Sequence, residues 1–231
     1  MEYWAGNTYG TLDSAPDGKI IERVFNYVTS ILLEFKGKYD ENENAITNRL
    51  CKTLDFKKPP EYPFFFHHQN IEDETENTST DFAVFGTYAY AIQNNLESDN
   101  IPLVKFEAKR LSSELPQNRE REYVIGEYDN GKQIRNSGGL ERFKNLRHGK
   151  DVDHAGMIAY VQTGSFDIWV TKINNWIQNE IKNPHDPLLI WDSDDLLQSK
   201  LSKLNLRSFL SYPKRKIRRQ LMMHHFWIKF N

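Results

Sequence analysis

The stretch Leu103-Val104-Lys105-Phe106-Glu107-Ala108-Lys109-Arg110-Leu111 decides how the rest of the chain is read. Polar and apolar residues alternate along it, which is the period of a β-strand. Lys105, Glu107 and Lys109 then share one face, and Val104, Phe106 and Ala108 share the other. Glu107-Ala108-Lys109 sets a carboxylate and an ammonium side by side. The wet face of any strand also looks like this, so the triplet takes its meaning from its surroundings. An acidic residue two places before a lysine occurs at Asp17, Glu34, Asp55, Glu107 and Glu180. Glu34 and Glu180 fall in helical patterns, where i and i+2 diverge. Asp17 lies in a turn, and Asp55 runs into Lys58-Pro59-Pro60. Glu107 alone sits on a strand of this character.

Working upstream, Asp81 to Phe85 is a short apolar run opened by Asp81 and ended by Gly86. Tyr62 to His67 is a shorter aromatic one, and the polar segment Ile71 to Ser79 between them reads as a loop. Three strands in succession predict an antiparallel meander. In such a meander the Asp81 and Glu107 carboxylates come within reach of one ion. Magnesium suits that pair, since it takes one or two carboxylates together with water and substrate phosphate. Such an ion polarises a phosphodiester and helps ionise an attacking water. Lys109 then orients that water or offsets charge on the phosphate.

Two helices precede the meander. Ile21, Val24, Phe25, Val28, Ile31, Leu32 and Phe35 step by three and four from Lys19 to Phe35. Ile46, Leu50 and Leu54 form the stripe of a second helix, Glu43 to Leu54. At about 100° per residue Glu43 falls in the middle of that stripe. It either points at the sheet, where it needs a partner, or sits half solvated at the helix start.

Downstream, Ser112 to Lys150 is polar and basic. Gly138-Gly139 leads into a short helix, Leu140 to Leu146, whose start, with Arg142 and Lys144, offers a phosphate grip or is an ordinary loop-to-helix junction. Ala155 to Thr163 reads as a buried strand, Phe166 to Ile181 as a helix and Leu188 to Trp191 as a short strand. Ser193 caps a further helix with Asp194 and Asp195 in its first turn. Met222 to Phe230 reads as a final strand, with His224 and His225 either in the core or in a clamp. The order predicts an α/β fold, a central mixed β-sheet flanked by helices, in one domain over residues 1–231.

The net charge of -2 hides segregation. Pro59 to Val104 holds 8 acidic residues and no Lys or Arg, whereas Leu196 to the end holds 9 basic and no acidic residues. Lys214, Arg215, Arg218 and Arg219 are the candidates there for phosphate contacts, the alternative being a solvated face. One cysteine, Cys51, excludes a disulfide framework. No stretch approaches the ~20 apolar residues of a membrane span, and no secretory signal opens the chain. The expectation is a soluble, cytoplasmic protein.

A helix with Glu43, then Asp81 on a strand, then Glu107-x-Lys109 on the next strand, then a basic helix and another strand, resembles the PD-(D/E)xK, or restriction-endonuclease-like, nuclease superfamily. The resemblance spans about Glu43 to Thr163 and lies more in element order than in letters. Thr80 stands where the family often has proline. The resemblance implies a restriction-endonuclease-like αβββαβ core and a Mg²⁺-dependent phosphodiesterase, with Mn²⁺ substituting. Asp81, Glu107 and the Ala108 carbonyl would be metal ligands, Lys109 the catalytic lysine and Glu43 an auxiliary acid. It implies DNA as substrate, RNA remaining open, and a prokaryotic defence role acting as a homodimer or with a partner protein. A non-catalytic nucleic-acid-binding or protein-interaction module on the same fold is the alternative.

Overall fold

The computed structural model describes residues 16–38, 41–73, 78–94, 102–116, 119–130, 132–216 and 220–230. Helix α1 (Pro16–Glu34) starts with proline, whose missing N–H costs nothing at a first helical position. Its Val24, Val28 and Leu32 are fully buried. Helix α2 (Glu43–Phe56) is opened by Asn42, whose side chain accepts from the Ala45 amide at 2.9 Å. Ile46, Leu50 and Leu54 fill its buried stripe.

Strands β1 (Phe64–Asp73), β2 (Thr78–Gly86) and β3 (Pro102–Leu111) follow as an antiparallel meander, with the short helix α3 (Tyr88–Gln93) between the last two. A separate hairpin, β4 (Glu127–Asp129) and β5 (Lys132–Arg135), precedes helix α4 (Gly139–Lys144). Strand β6 (His154–Val161) then lies parallel to β3. Helix α5 (Phe166–Lys182) starts at Ser165, which caps it by accepting from the Ile168 amide. Strands β7 (Gln198–Ser202), β8 (Leu206–Ser211) and β9 (Met222–Lys229) complete the chain's main sheet. Its order is β1-β2-β3-β6-β9-β8-β7, with β9 parallel to β6 and antiparallel to β8.

The fold is α/β: a seven-stranded mixed sheet with helices on both faces. The alternation of β6 shows why two cores form. Ile158 and Tyr160 pack toward α1 and α2, with Val28, Leu50 and Phe106. Met157, Ala159 and Val161 pack toward α4 and α5, with Phe143, Trp169 and Ile173. Each such large side chain contributes about 1.5–3 kcal/mol on burial. Gly156 lies in β6 beside Phe106; a Cβ there would stand 2.1 Å from the Phe106 ring. The missing side chain lets Phe106 stack on Phe82, with centroids 4.5 Å apart. Among the described residues, no helix is long and apolar enough to cross a membrane.

The structure corrects four sequence expectations. Asp81 does not open its strand; it is the fourth residue of β2, which begins at Thr78. Much of Ile71 to Ser79 is strand, since β1 runs to Asp73. Leu188 to Trp191 is a turn: Leu189 and Trp191 bury in the α5-side core but pair with no strand. Asp192, not Ser193, is the cap, and it opens only a single 3-10 turn, Ser193–Asp195, closed by a capping box with Asp195.

Candidate active site

Backbone pairing between β2 and β3 is registered at Phe82–Phe106, Ala83–Lys105 and Val84–Val104. One step further the same register would oppose Asp81 to Glu107. There a side chain replaces the backbone: Asp81 Oδ2 accepts from the Ala108 amide at 2.6 Å. In a β-strand a residue's N–H and C=O face the same neighbour, so the Ala108 carbonyl is directed to the Asp81 side as well. The stacked Phe82 and Phe106 form the floor beneath this point.

On β3, Glu107 is 2% exposed and receives three partners. Lys109 Nζ donates to its Oε1 at 2.7 Å, and Arg142 Nη1 to the same oxygen at 3.0 Å. His148 Nδ1 lies 3.2 Å from Oε2. Burial disfavours the Glu107 carboxylate, but Lys109, His148 and Arg142 outweigh it and hold the group well below the usual carboxylate range. Burial likewise disfavours the charge on Lys109, and Glu107, Glu43 and Asp81 reverse the effect, so Lys109 stays firmly protonated. Helix α2 delivers Glu43 to the same strand. Its Oε2 accepts from the Arg110 amide at 2.8 Å, and its Oε1 lies 3.8 Å from Lys109 Nζ.

Asp81 is the exception. Burial, then the repulsion of Glu107, pushes its carboxyl up to about 8, with Glu43 adding to the rise; Lys109 and the Ala108 amide only partly oppose it. A carboxyl crowded in this way gains from a cation. Among the described residues, no three His, Cys, Asp or Glu side chains form a group that would hold a metal ion unaided. The donors at this point, two carboxylates from adjacent strands and one carbonyl, fit magnesium, which completes its shell with water and phosphate.

Asp81, Glu107, Ala108, Lys109, Glu43 and Arg142 thus come together, and the remaining candidates among the described residues do not join them. Lys144 is fully buried, with Nζ 2.5 Å from Asp195 and 4.5 Å from the centre of the Trp191 ring, and so is closed to a phosphate. Arg215 is also inside: Nη1 donates to the Gly149 and Val152 carbonyls at 3.0 and 2.8 Å, and Nη2 pairs with Asp153. Both are structural cations, because their charge is spent on internal acceptors. Lys214 is half exposed and pairs with Asp192 at 2.6 Å. Arg218 and Arg219 lie outside the described residues. His225 is buried between Tyr123 Oη at 2.7 Å and Ser211 Oγ at 2.9 Å, and His224 stacks on Phe25. Burial lowers both histidines to about 3, so they are neutral core groups rather than a clamp.

His148 is the site neighbour that the sequence does not announce. His148-Gly149-Lys150 suits no motif, and its contact with Glu107 spans 41 positions. A turn places it: Gly149 has φ of 63°, its amide donates to Glu72 at 3.1 Å, and its carbonyl is clamped by Arg215.

Comparison of the chain with family models, with curated proteins and with solved structures finds no match.

Proposed function

We propose that the chain is a divalent-metal-dependent nuclease that hydrolyses DNA phosphodiester bonds at Asp81, Glu107 and Lys109. The observation that carries the proposal is the hydrogen bond from the Ala108 amide to Asp81. It ties the Asp81 carboxylate of β2 to the segment of β3 that carries the Glu107–Lys109 ion pair. The β1-β2-β3 meander followed by α4 and the parallel strand β6 is consistent with the PD-(D/E)xK resemblance.

Asp81, Glu107 and the Ala108 carbonyl would hold the ion, and a magnesium ion bound there would supply charge that polarises the scissile phosphate and eases ionisation of a water. Lys109, charged and fixed by Glu107, orients the attacking water and offsets negative charge on the phosphate as it develops. Glu43 fixes β3 through the Arg110 amide and shares Lys109, so it tunes the site without contacting substrate. The Lys109 and Arg142 cations, both donating to its Oε1, keep Glu107 ionised in a buried position. Cytoplasmic placement and a role against foreign DNA belong to the same proposal and rest on the resemblance.

The test is plasmid and RNA cleavage by the full chain with Mg²⁺, Mn²⁺ or chelator. Cleavage that requires metal and disappears in Lys109→Ala supports the reading. Binding of nucleic acid without cleavage under any metal makes the chain a non-catalytic module instead.

A further inference from the structure

We propose that Arg142 is exchanged between Glu107 and a substrate phosphate, so that divalent metal and nucleic acid bind cooperatively. This rests on the nuclease reading above and goes beyond it.

A metal ion at Glu107 meets a carboxylate whose Oε1 already accepts from two cations. Lys109 and Arg142 share Oε1, and His148 faces Oε2. An arriving ion would add positive charge beside Lys109 and Arg142, and the cation with somewhere to go would be displaced. Lys109 has a side chain only 9% exposed and lies between Glu107 and Glu43. His148 is 1% exposed, and the turn beneath it is pinned by Glu72 and Arg215. Arg142 differs. A quarter of its side chain is exposed, and its Nη2 makes no hydrogen bond to a described residue. Its Nε donates to the Asn136 carbonyl at 2.7 Å, and the planar guanidinium can pivot about that contact as one rigid unit.

A released guanidinium is a fork of donors suited to phosphate oxygens. Metal therefore frees the group that grips the strand, and the strand removes the group that competes with the metal. By linkage each ligand raises the other's affinity by the same factor. Arg142 in this role contacts substrate and also gates the metal.

The experiment measures two equilibria on the full chain and on Arg142→Met, with Arg142→Lys as a second variant and thermal melts to confirm folding. Mn²⁺ alone is titrated by calorimetry. A fluorescent DNA duplex is titrated with and without Ca²⁺, cleavage being monitored. Arg142→Met is expected to bind Mn²⁺ about tenfold tighter than the unaltered chain, since it has lost the competitor. Ca²⁺ is expected to tighten duplex binding by the unaltered chain about tenfold more than that of Arg142→Met, whose remaining gain is the ion's own contact with phosphate. Arg142→Lys should keep part of the coupling, because lysine still carries the charge. Mn²⁺ affinity that is unchanged or weaker in a folded Arg142→Met overturns the exchange, even if the chain cleaves DNA. Absence of Mn²⁺ binding in every variant overturns the exchange together with the metal site.

Discussion

Lys105 and Glu107 lie two positions apart on the same face of β3, and each organises a buried charge cluster, but the clusters are built to opposite plans. Lys105 Nζ sits 2.9 Å from Glu72 and 2.7 Å from Asp151. Glu72 turns its other oxygen to the Gly149 amide, and Asp151 keeps 41% of its side chain in water. Each charge there has a partner or solvent. Around Lys109, three carboxylates crowd together: Glu43, Asp81 and Glu107. Two of them are compensated, and Asp81 is left with a carboxyl that holds its proton to about pH 8. The Lys105 cluster closes its own charge, whereas the Lys109 cluster keeps one group unsettled, at a cost in stability that a bound cation would remove.

The comparison predicts that chemistry and stability separate along β3. The largest effect is expected at the unsettled cluster: Glu107→Gln should lower Mg²⁺-dependent cleavage by about 10³-fold or more. Lys109→Ala should do the same while Mn²⁺ still binds, since the lysine is not a ligand. Plasmid nicking and metal titration measure both, and full activity in Glu107→Gln would end the assignment at this site.

The next effect belongs to the closed cluster. Lys105→Ala leaves Glu72 buried without its cation and should cost about 3–5 kcal/mol in urea unfolding. Cleavage per folded molecule should persist. A stable but inactive Lys105→Ala would erase the distinction between the clusters.

Asp81→Asn sharpens the comparison through pH. The folded carboxyl, at about 8, lies above its unfolded value near 3.9. Its contribution to stability is therefore complete below about pH 4 and is lost as pH rises through about 8. Asparagine carries no such dependence. Without metal, Asp81→Asn should match the unaltered chain at pH 4 and exceed it by about 1–2 kcal/mol at pH 8.5, a figure reduced for the partial exposure of Asp81. Chemical denaturation across pH measures it, and equal stability at both ends would show that Asp81 is settled after all.

Glu43→Gln should give the smallest change. The amide retains an acceptor for the Arg110 N–H, so stability should move by no more than about 1 kcal/mol. Loss of its charge beside Lys109 should slow cleavage roughly tenfold. An unchanged rate would leave Glu43 a helix-start carboxylate.

The approach of Asp81 to Glu107 and Lys109 is legible in the sequence because strand periodicity and the expected meander fix their face and neighbour, whereas the apolar stripe leaves two readings open for Glu43. Charge is a poorer guide. Arg142 and Lys144 are two residues apart in one basic helix, yet one reaches Glu107 and the other is sealed against Asp195. A run of basic letters does not disclose which members find an internal acid, and the acids that bury Lys144 and hold Arg215 are 51 and 62 positions away. Strands β4, β5 and β7 escape a reading by pattern because they are short and largely exposed, without the apolar alternation that marks a strand. The Leu188 to Trp191 run misleads for the converse reason, its apolar residues serving as plugs in a turn.

The placement of β9 bears on how the protein is made. It lies between β6 and β8, both of which leave the ribosome before it. Until Met222 and its successors emerge, a nascent chain shows two open strand edges and the unsheathed apolar faces beside them, surfaces prone to aggregation. The residues gathered around Glu107 have been translated by then, and their strands all lie on the β1-β2-β3-β6 side of the gap. A chain arrested before β9 thus lacks the one strand that covers both open edges and makes a single sheet of the two pieces.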